Sequence, residues 1–199
     1  MTNDDNNIIE RIQGGETSEF AQLVKRYGPS LMVFVGRIVG VQEDTEDVVQ
    51  NTFVAAYEHR KGFDPQRASL TTWLQRIAYH EALHHLRRRK RQAVLPLDVG
   101  DDFPNELPTD TTAEQLDEAI LRLTPEEQML LQFYYFDQRP LKEIAYITVG
   151  GQGSKPDSVA KSKEGNDEIS LDREVSRLTT QLHRIRQRLR IILTRMNDE

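Results

Sequence analysis

One segment of this sequence has residue types and a spacing that could support catalysis, namely His80-Glu81-Ala82-Leu83-His84. It places two imidazoles one helical turn apart around a carboxylate. Imidazoles at this spacing can share a Zn²⁺ ion, and the glutamate can then serve as a general base. Against a zinc site, no glycine-containing extension with a further histidine follows, and the motif runs straight into cations that would oppose a dication. We therefore expect no metal site and no catalytic residues here, and keep a zinc hydrolase as the minor alternative.

A run of cations, Arg87-Arg88-Arg89-Lys90-Arg91, follows these histidines directly. Cations also complement the dipole at a helix C-terminus, so a solvated helix end is the alternative interpretation. The run is longer than capping requires, and such clusters gain affinity for nucleic acid by releasing counterions from phosphates. Aromatic residues lie on or near the same unit, and any exposed ring could stack on an unpaired base for ~1–3 kcal/mol. These residues predict nucleic-acid binding.

The charge of the chain is unevenly distributed. The 199 residues carry a formal net charge of −6, yet Val175 to Met196 contains six arginines and no acid. Overall acidity therefore does not argue against nucleic-acid binding, because the local field governs phosphate attraction. The chain has no cysteine, which fits a reducing compartment. No apolar run approaches the ~20 residues of a membrane span. We expect a soluble, cytoplasmic protein without membrane insertion.

Helical periodicity dominates the first half of the chain and predicts an all-α fold. Ser18 can cap a first helix, Gly28-Pro29 is expected to interrupt it, and Leu31–Val39 would form a second helical piece. Asp44–His59 is predicted as the next helix, with Val48, Val49, Thr52, Phe53 and Tyr57 toward a core. A turn at residues 62–65 and a cap at Ser69 would then start a helix from Leu70 to Arg91.

The second half of the chain begins with a proline-containing acidic stretch, residues 93–112, that predicts a flexible linker. Thr124-Pro125-Glu126-Glu127 is a strong helix start, and a short helix should follow at Pro140–Thr148. Gly150–Glu174 has the composition of a mobile insertion. Apolar residues then recur at steps of four and three to Met196, which predicts one long helix. Its stripe should pack on its own domain, with a coiled-coil contact in a helical interaction protein as the alternative.

Several segments resemble one known family. Asp44–Phe53, Phe63–Ala78 and the basic run resemble domain 2 of bacterial sigma-70-family factors of the extracytoplasmic-function (ECF) group. Three later segments resemble domain 4 of that group: Leu123–Gln128, Glu143–Ala145 and Leu182–Arg190. The resemblance implies two small helical domains, namely a helical bundle at 1–92 and a helix-turn-helix domain at 113–199. The acidic linker would be 93–112, and the second domain would carry the insertion at about 150–174.

The function that this resemblance implies is that of a promoter-specificity subunit of RNA polymerase. Such a protein is not an enzyme and needs no cofactor. Its implied partners are core RNA polymerase, through the β′ clamp helices and the β flap, together with promoter DNA and an anti-sigma factor. The main alternative is a helix-turn-helix transcriptional regulator that works independently of core polymerase.

The resemblance also implies three sets of binding residues. Polymerase would contact Asp44, Asp47, Val48 and Asn51. The −10 element, held as a melted strand with one base flipped out, would contact Phe63, Arg67, Ser69, Trp73, Arg76, His80, His84, Arg87 and Arg88. The −35 element would lie against the last helix at Arg177, Thr180, Gln181 and Arg184.

The sequence departs from the family pattern at several of these positions. Asn51 replaces a second acidic residue, and His80 and His84 stand where the family often has Asn and Asp. Thr179 and Gln181 stand where the recognition helix usually carries Lys and Arg. The insertion also separates two helices that a turn of three or four residues usually joins. It is either a disordered loop or a regulatory element that contacts an anti-sigma factor, polymerase or DNA.

Overall fold

All regular structure in the described part of this computed structural model, which covers residues 11–12, 14, 18–92, 113–149 and 164–197, is helical. The chain divides into two compact units, Met1–Gln92 with Tyr146–Ile169 and Ala93–Ala145 with Ser170–Glu199. The predicted all-α fold with two domains is confirmed. The predicted linker at 93–112 and residues 150–163 of the insertion lie outside the described residues.

The first unit is built on three packed helices: α1 (Ser18–Val39), α2 (Gln42–Glu58) and α3 (Leu70–Gln92). A 3-10 turn at Arg60–Gly62 follows α2. The apolar faces of all three helices meet in one core. Its fully buried side chains include Leu23, Val35, Val48, Thr52 and Leu74.

The predicted break at Gly28-Pro29 is wrong, because α1 continues through Pro29. Proline removes one helical N–H and therefore weakens the helix locally. The side chains of Tyr27 and Leu31, on either side of it, are both buried. The hydroxyl of Ser30 also donates a hydrogen bond to the Tyr27 carbonyl at 2.9 Å. Burial of apolar residues before and after the proline favours one continuous helix over two pieces.

The loop between α2 and α3 contains the turn and the cap that the sequence predicted. The Asp64 carboxylate accepts a hydrogen bond from the Gln66 amide at 2.9 Å. The Ser69 hydroxyl accepts one from the Thr72 amide at 3.1 Å, which satisfies a donor in the first turn of α3. These two contacts fix the loop relative to the helix that follows it.

The second unit contains α4 (Ala113–Leu121), α5 (Pro125–Leu131) and a π-helical turn at Gln132–Phe136. The next helix, α6 (Leu141–Thr148), belongs to this unit through Ala145, whereas its last turn belongs to the first unit. The long helix α7 (Glu164–Asn197) completes the fold. None of the helices in the described ranges is long and apolar enough to span a bilayer.

The predicted helix start at Thr124 is confirmed in detail. The Thr124 hydroxyl accepts a hydrogen bond from the Glu127 amide at 3.3 Å, and the Glu127 carboxylate accepts one from the Thr124 amide at 2.9 Å. Pro125 occupies the first turn, where its missing N–H costs nothing. The same carboxylate lies 3.2 Å from Nη1 of Arg188, so the start of α5 is also tied to α7.

The long helix α7 begins earlier than the sequence suggested. The prediction of a mobile segment is wrong for Glu164–Glu174, which lie in the helix. The composition of that stretch is polar, but an established helix extends at a small cost for each added residue. Leu178, Leu182 and Ile185 of the predicted apolar stripe are buried, as is Leu193 beside it, so this part of the stripe packs within the chain.

Candidate polymerase and nucleic-acid interfaces

The acidic residues of α2 do not all face solvent in the same way. Asp47 and Asn51 are exposed, whereas Val48 is a core residue with 1% of its surface exposed. The Asp44 carboxylate is partly exposed, and Arg89 Nη1 donates a hydrogen bond to its Oδ2 at 3.1 Å. His85 Nε2 lies 3.2 Å from the same oxygen. Asp44 therefore joins α2 to the basic end of α3.

Two of the aromatic residues assigned to the −10 element form a buried pair. The rings of Phe63 and Trp73 lie 5.3 Å apart in a tilted arrangement, and only 5% and 7% of their surfaces are exposed. The loop that contributes Phe63 also carries Arg67, which is exposed. Ser69 caps α3 below this loop. The ring pair thus holds the loop against α3 and gives the surrounding surface a rigid base.

The guanidinium of Arg76 is turned into the protein, although the residue carries a charge. Only 8% of its surface is exposed, and Nη2 donates a hydrogen bond to the carbonyl oxygen of Val149 at 3.1 Å. The guanidinium carbon lies 4.9 Å from the centroid of the Tyr146 ring, which is a cation–π distance. Tyr146 and Val149 both belong to the first unit, like Arg76.

His80, one turn further along α3, contacts the same carbonyl group. Its Nε2 lies 3.2 Å from the oxygen of Val149. A carbonyl oxygen can only accept, so Nε2 must carry the proton of the neutral ring. A single backbone oxygen therefore accepts from two α3 side chains, Arg76 and His80.

Burial changes the ionisation of this cluster. Burial, together with the neighbouring charge of Arg76, lowers the pKa of His80 from 6.5 to about 4. Burial also lowers the pKa of Arg76 and raises the pKa of the Tyr146 hydroxyl. His80 is consequently neutral at physiological pH, which suits a hydrogen-bond donor to a carbonyl better than a phosphate contact.

Several exposed basic residues of α3 lie on the turns that follow His80. His84, Arg87 and Arg88 are exposed, and their spacing of three and four residues places them on one side of the helix. In the part of the chain that the structure describes, no cluster of three His, Cys, Asp or Glu residues could hold a metal ion. His84 and His80 differ in their surroundings, since one is exposed and the other covered.

The residues assigned to the −35 element share one face of α7. Arg177, Thr180 and Arg184 are exposed and Gln181 is partly exposed, while Leu178 on the opposite face is buried. The charge of Arg177 is partly balanced by Glu174, whose Oε1 lies 3.2 Å from Nη1. Arg184 is thus the more accessible cation for an anionic ligand.

Two functional features of the site have no local signal in the sequence. Tyr146 and Val149 lie 70 and 73 residues beyond Arg76, and no short-range pattern links positions so far apart. The pairing of Asp44 with Arg89 is also between distant positions. Only complementary chemistry, namely an acid on one helix and a cation on another, could have suggested that second contact.

Comparison with known proteins shows which proteins this chain is similar to. Residues 23–92, which comprise most of α1, all of α2 and α3 and the loop between them, match the model of Sigma-70 region 2. The chain is 27% identical over 172 residues to the ECF RNA polymerase sigma factor SigF of Caulobacter vibrioides. That alignment covers 85% of this chain and 89% of the relative. The first unit is therefore similar to Sigma-70 region 2, and most of the chain is similar to an ECF sigma factor.

Two solved structures share the fold. One is CnrH in complex with the cytosolic domain of CnrY, with a TM-score of 0.54 and 20% identity over 96% of this chain and 97% of that one. The other is the sigma factor RpoE with the anti-sigma factor NepR from Bartonella quintana, with a TM-score of 0.51 and 16% identity over 88% and 97%. At these identities the two structures show a shared fold.

Proposed function

We propose that this protein is an RNA polymerase sigma factor that directs promoter recognition and transcription initiation. The observation that supports this most is the Sigma-70 region 2 match, which covers both the exposed acids of α2 and the exposed cations of α3. The protein performs no chemistry itself, in keeping with its family. It acts in the cytoplasm, where core polymerase and chromosomal DNA are present.

The polymerase contact is centred on the exposed face of α2. Asp47 and Asn51 lie on this face, and a carboxylate there suits the basic groove of the β′ clamp helices. Val48 supports the face from the core, and Asp44 is shared between this contact and Arg89. The β flap is the corresponding polymerase element for the second unit.

The −10 element binds along α3 and the loop before it. Flipping a base out of the stack costs a few kcal/mol, which stacking and hydrogen bonds must offset. The buried pair of Phe63 and Trp73 keeps the loop rigid, so Arg67 is presented without a large ordering cost. His84, Arg87 and Arg88 then follow the phosphates of the opened strand, while Arg76 and His80 lie further in.

The −35 element lies against the exposed face of α7. A helix of this kind reads the major groove with side chains on one face. Arg184 provides the accessible cation, and Thr180 and Gln181 provide polar groups for base edges or phosphates. Because Arg177 is paired with Glu174, it contributes less than its charge suggests.

An anti-sigma factor is the expected regulatory partner. The structure of RpoE with NepR is that of a sigma factor bound to an anti-sigma factor, and it shares the fold of this chain. A partner that covers the exposed face of α2 or the cations of α3 would block polymerase or promoter binding.

The decisive experiment is reconstitution with core polymerase, followed by genome-wide mapping of transcript starts. Asp47→Lys should abolish polymerase binding, because it reverses an exposed charge on the proposed contact face. Asp117→Lys is the matched control, since it reverses an exposed acid on α4 and should leave binding unchanged. Asp47 is a cleaner target than Asp44, whose reversal would also release Arg89.

The same experiment separates the proposal from its main rival. A helix-turn-helix regulator that works without polymerase would bind duplex DNA equally well as wild type and as Asp47→Lys. If purified core enzyme ignored the wild-type protein, or started no transcript with it, the sigma-factor assignment would be wrong.

A further inference from the structure

The segment Tyr146–Val149 lies on the face of α3 that carries Arg76 and His80. Both side chains direct hydrogen-bond donors at the carbonyl oxygen of Val149, at 3.1 and 3.2 Å. The Tyr146 ring covers the guanidinium of Arg76 at 4.9 Å. All of these groups belong to the first unit. Two side chains assigned to the promoter strand are therefore already engaged by the protein itself.

The contacts made by this segment have the same chemistry as contacts with a single strand of DNA. A carbonyl oxygen accepts from arginine and histidine as a phosphate or base oxygen would. An aromatic ring over a guanidinium makes the same kind of contact as a base stacked on it. Arg76 is almost fully buried beneath Tyr146. A DNA strand and the segment therefore cannot both contact its guanidinium group at the same time.

The position of Tyr146 extends this overlap to the loop before α3. The charges of Arg67 and Asp64 both act on the Tyr146 hydroxyl, in addition to that of Arg76. Tyr146 is thus close enough to the charges of the loop to sense them, while its ring covers Arg76 on α3.

We propose that the Tyr146–Val149 segment is an intramolecular competitor of the promoter strand, which must leave Arg76 and His80 before the strand can reach them. This inference rests on the proposed function, because it assumes that α3 binds the −10 strand. The segment lowers affinity for single-stranded DNA whenever it is seated. A strand can displace it, since hydrogen bonds from arginine to an ionised phosphate are stronger than those to a neutral carbonyl.

The competitor can be weakened without changing any residue assigned to DNA binding. Tyr146→Ala removes the ring over Arg76, whereas Tyr146→Phe keeps the ring and removes only the hydroxyl. Binding of a fluorescein-labelled oligothymidylate to the full-length protein is measured by fluorescence anisotropy. We expect Tyr146→Ala to bind roughly threefold to tenfold more tightly than wild type, which is the effect of removing one competing interaction. Tyr146→Phe should lie between the two.

A second readout reports whether the segment has moved, independently of DNA. Once uncovered, His80 should regain an ordinary pKa near 6.5 instead of about 4, which an NMR titration of the histidine side chains detects. The His80 signal is assigned by its absence in His80→Gln. Tyr134→Ala, which removes a tyrosine of the second unit, is the control and should change neither affinity nor titration. Circular dichroism checks that each variant is folded.

The outcomes separate this inference from the proposed function. Unchanged or weaker oligonucleotide binding by Tyr146→Ala would overturn the competitor, and weaker binding would make Tyr146 a DNA contact instead. A His80 titration that does not move in Tyr146→Ala would overturn it as well, because the segment would then not depend on the ring. If no protein bound the oligonucleotide, both the competitor and the proposed strand binding would fail, whereas polymerase binding would be tested separately with Asp47→Lys.

Discussion

The first unit contains a charged side chain, Arg76, that is buried on the face of α3 assigned to DNA. Arg76 lies in the second turn of α3 with 8% of its surface exposed, and its charge is offset by a carbonyl oxygen and an aromatic ring rather than by a carboxylate. Burying a cation is costly, which is why its pKa is lowered. Such an arrangement is maintained only while Val149 and Tyr146 remain in place.

The pH dependence of stability should carry a signature of His80. Its folded pKa of about 4 lies below the ordinary 6.5, because of burial and the charges of Arg76 and Arg87. Between these values the unfolded chain binds more protons, so stability is full above pH 6.5 and falls as the pH drops toward 4. We expect a decrease of roughly 2 kcal/mol between pH 7 and pH 5, measured by urea denaturation.

The control for that measurement is His80→Gln, which cannot titrate. Its stability should fall less over the same pH range, and the difference between the two curves isolates the histidine from the carboxylates. Unfolding of the first unit can be followed by the fluorescence of Trp73, the only tryptophan in the chain. Parallel curves for the two proteins would contradict the assignment.

Trp73 should contribute mainly to the stability of the fold, because its side chain is buried. It is 7% exposed and its ring contacts Phe63 at 5.3 Å. Removing a buried tryptophan side chain costs ~3–5 kcal/mol, so Trp73→Ala should lower the free energy of unfolding by about that amount. Trp73→Phe keeps a ring and should be destabilised much less. Thermal unfolding by circular dichroism measures both, and a small effect in Trp73→Ala would show that the ring is not part of the core.

Among the elements, the basic end of α3 carries the clearest electrostatic function. His84, Arg87 and Arg88 lie on one side of the helix, whereas Arg89, which is also exposed, pairs with Asp44. These three residues form a stripe along the helix. Single-strand phosphates that follow this stripe would displace counterions at each contact.

The salt dependence of DNA binding should become weaker when those cations are removed. Replacing Arg87 and Arg88 by Gln removes two exposed charges and should reduce the slope of log K against log salt by about 0.7 for each phosphate that the helix no longer neutralises. Fluorescence anisotropy with the oligothymidylate at several salt concentrations measures this slope. Arg122→Gln is the control, because that exposed arginine of the second unit pairs with Glu118. An unchanged slope in the double variant would place the phosphates elsewhere.

Elements with local signals could be predicted from the sequence, while those decided by distant contacts could not. The Thr124 cap follows from residues three apart, so it was predictable. The continuity of α1 through Pro29 was not, because burial of Tyr27 and Leu31 outweighs the missing hydrogen bond. The early start of α7 could not be predicted from composition for a related reason. Extension of an established helix outweighs weak local preferences.

The candidate site shows the same limit at the level of side chains. The family resemblance assigned Arg76 and His80 to DNA together with Arg87, and all three lie on one basic helix. Which of them is exposed depends on the segment that packs against α3 from about 70 residues away. Periodicity along one helix cannot show which of its faces a distant segment will cover.

At the scale of the whole molecule, the proposed function divides promoter recognition between the two units. The first presents a surface suited to a single strand, and the second presents a helix face suited to duplex DNA. Each surface has its own exposed cations, so the two can be disabled separately. A mutation in one surface should therefore impair binding to one promoter element and leave binding to the other element unchanged.

Binding assays with two DNA probes should show this separation. Arg184→Ala should weaken binding to a duplex −35 fragment taken from a mapped promoter, by roughly tenfold if it removes a direct interaction worth ~1–3 kcal/mol. Binding of the oligothymidylate should remain unchanged. Arg195→Ala, an exposed arginine near the end of the same helix, is the control and should affect neither. Equally weakened binding to both probes would mean that Arg184 acts on folding.

Under the proposed function, the pair formed by Asp44 and Arg89 would couple the binding of polymerase to the binding of DNA. A partner that draws the carboxylate away from α3 leaves Arg89 available to a phosphate, and a phosphate on Arg89 leaves the carboxylate available to the partner. By linkage, each ligand must then raise the affinity for the other by the same factor. Comparing Asp44→Asn, Arg89→Gln and the double variant in both binding assays would measure that factor, and a value of one would mean that the two grips are independent.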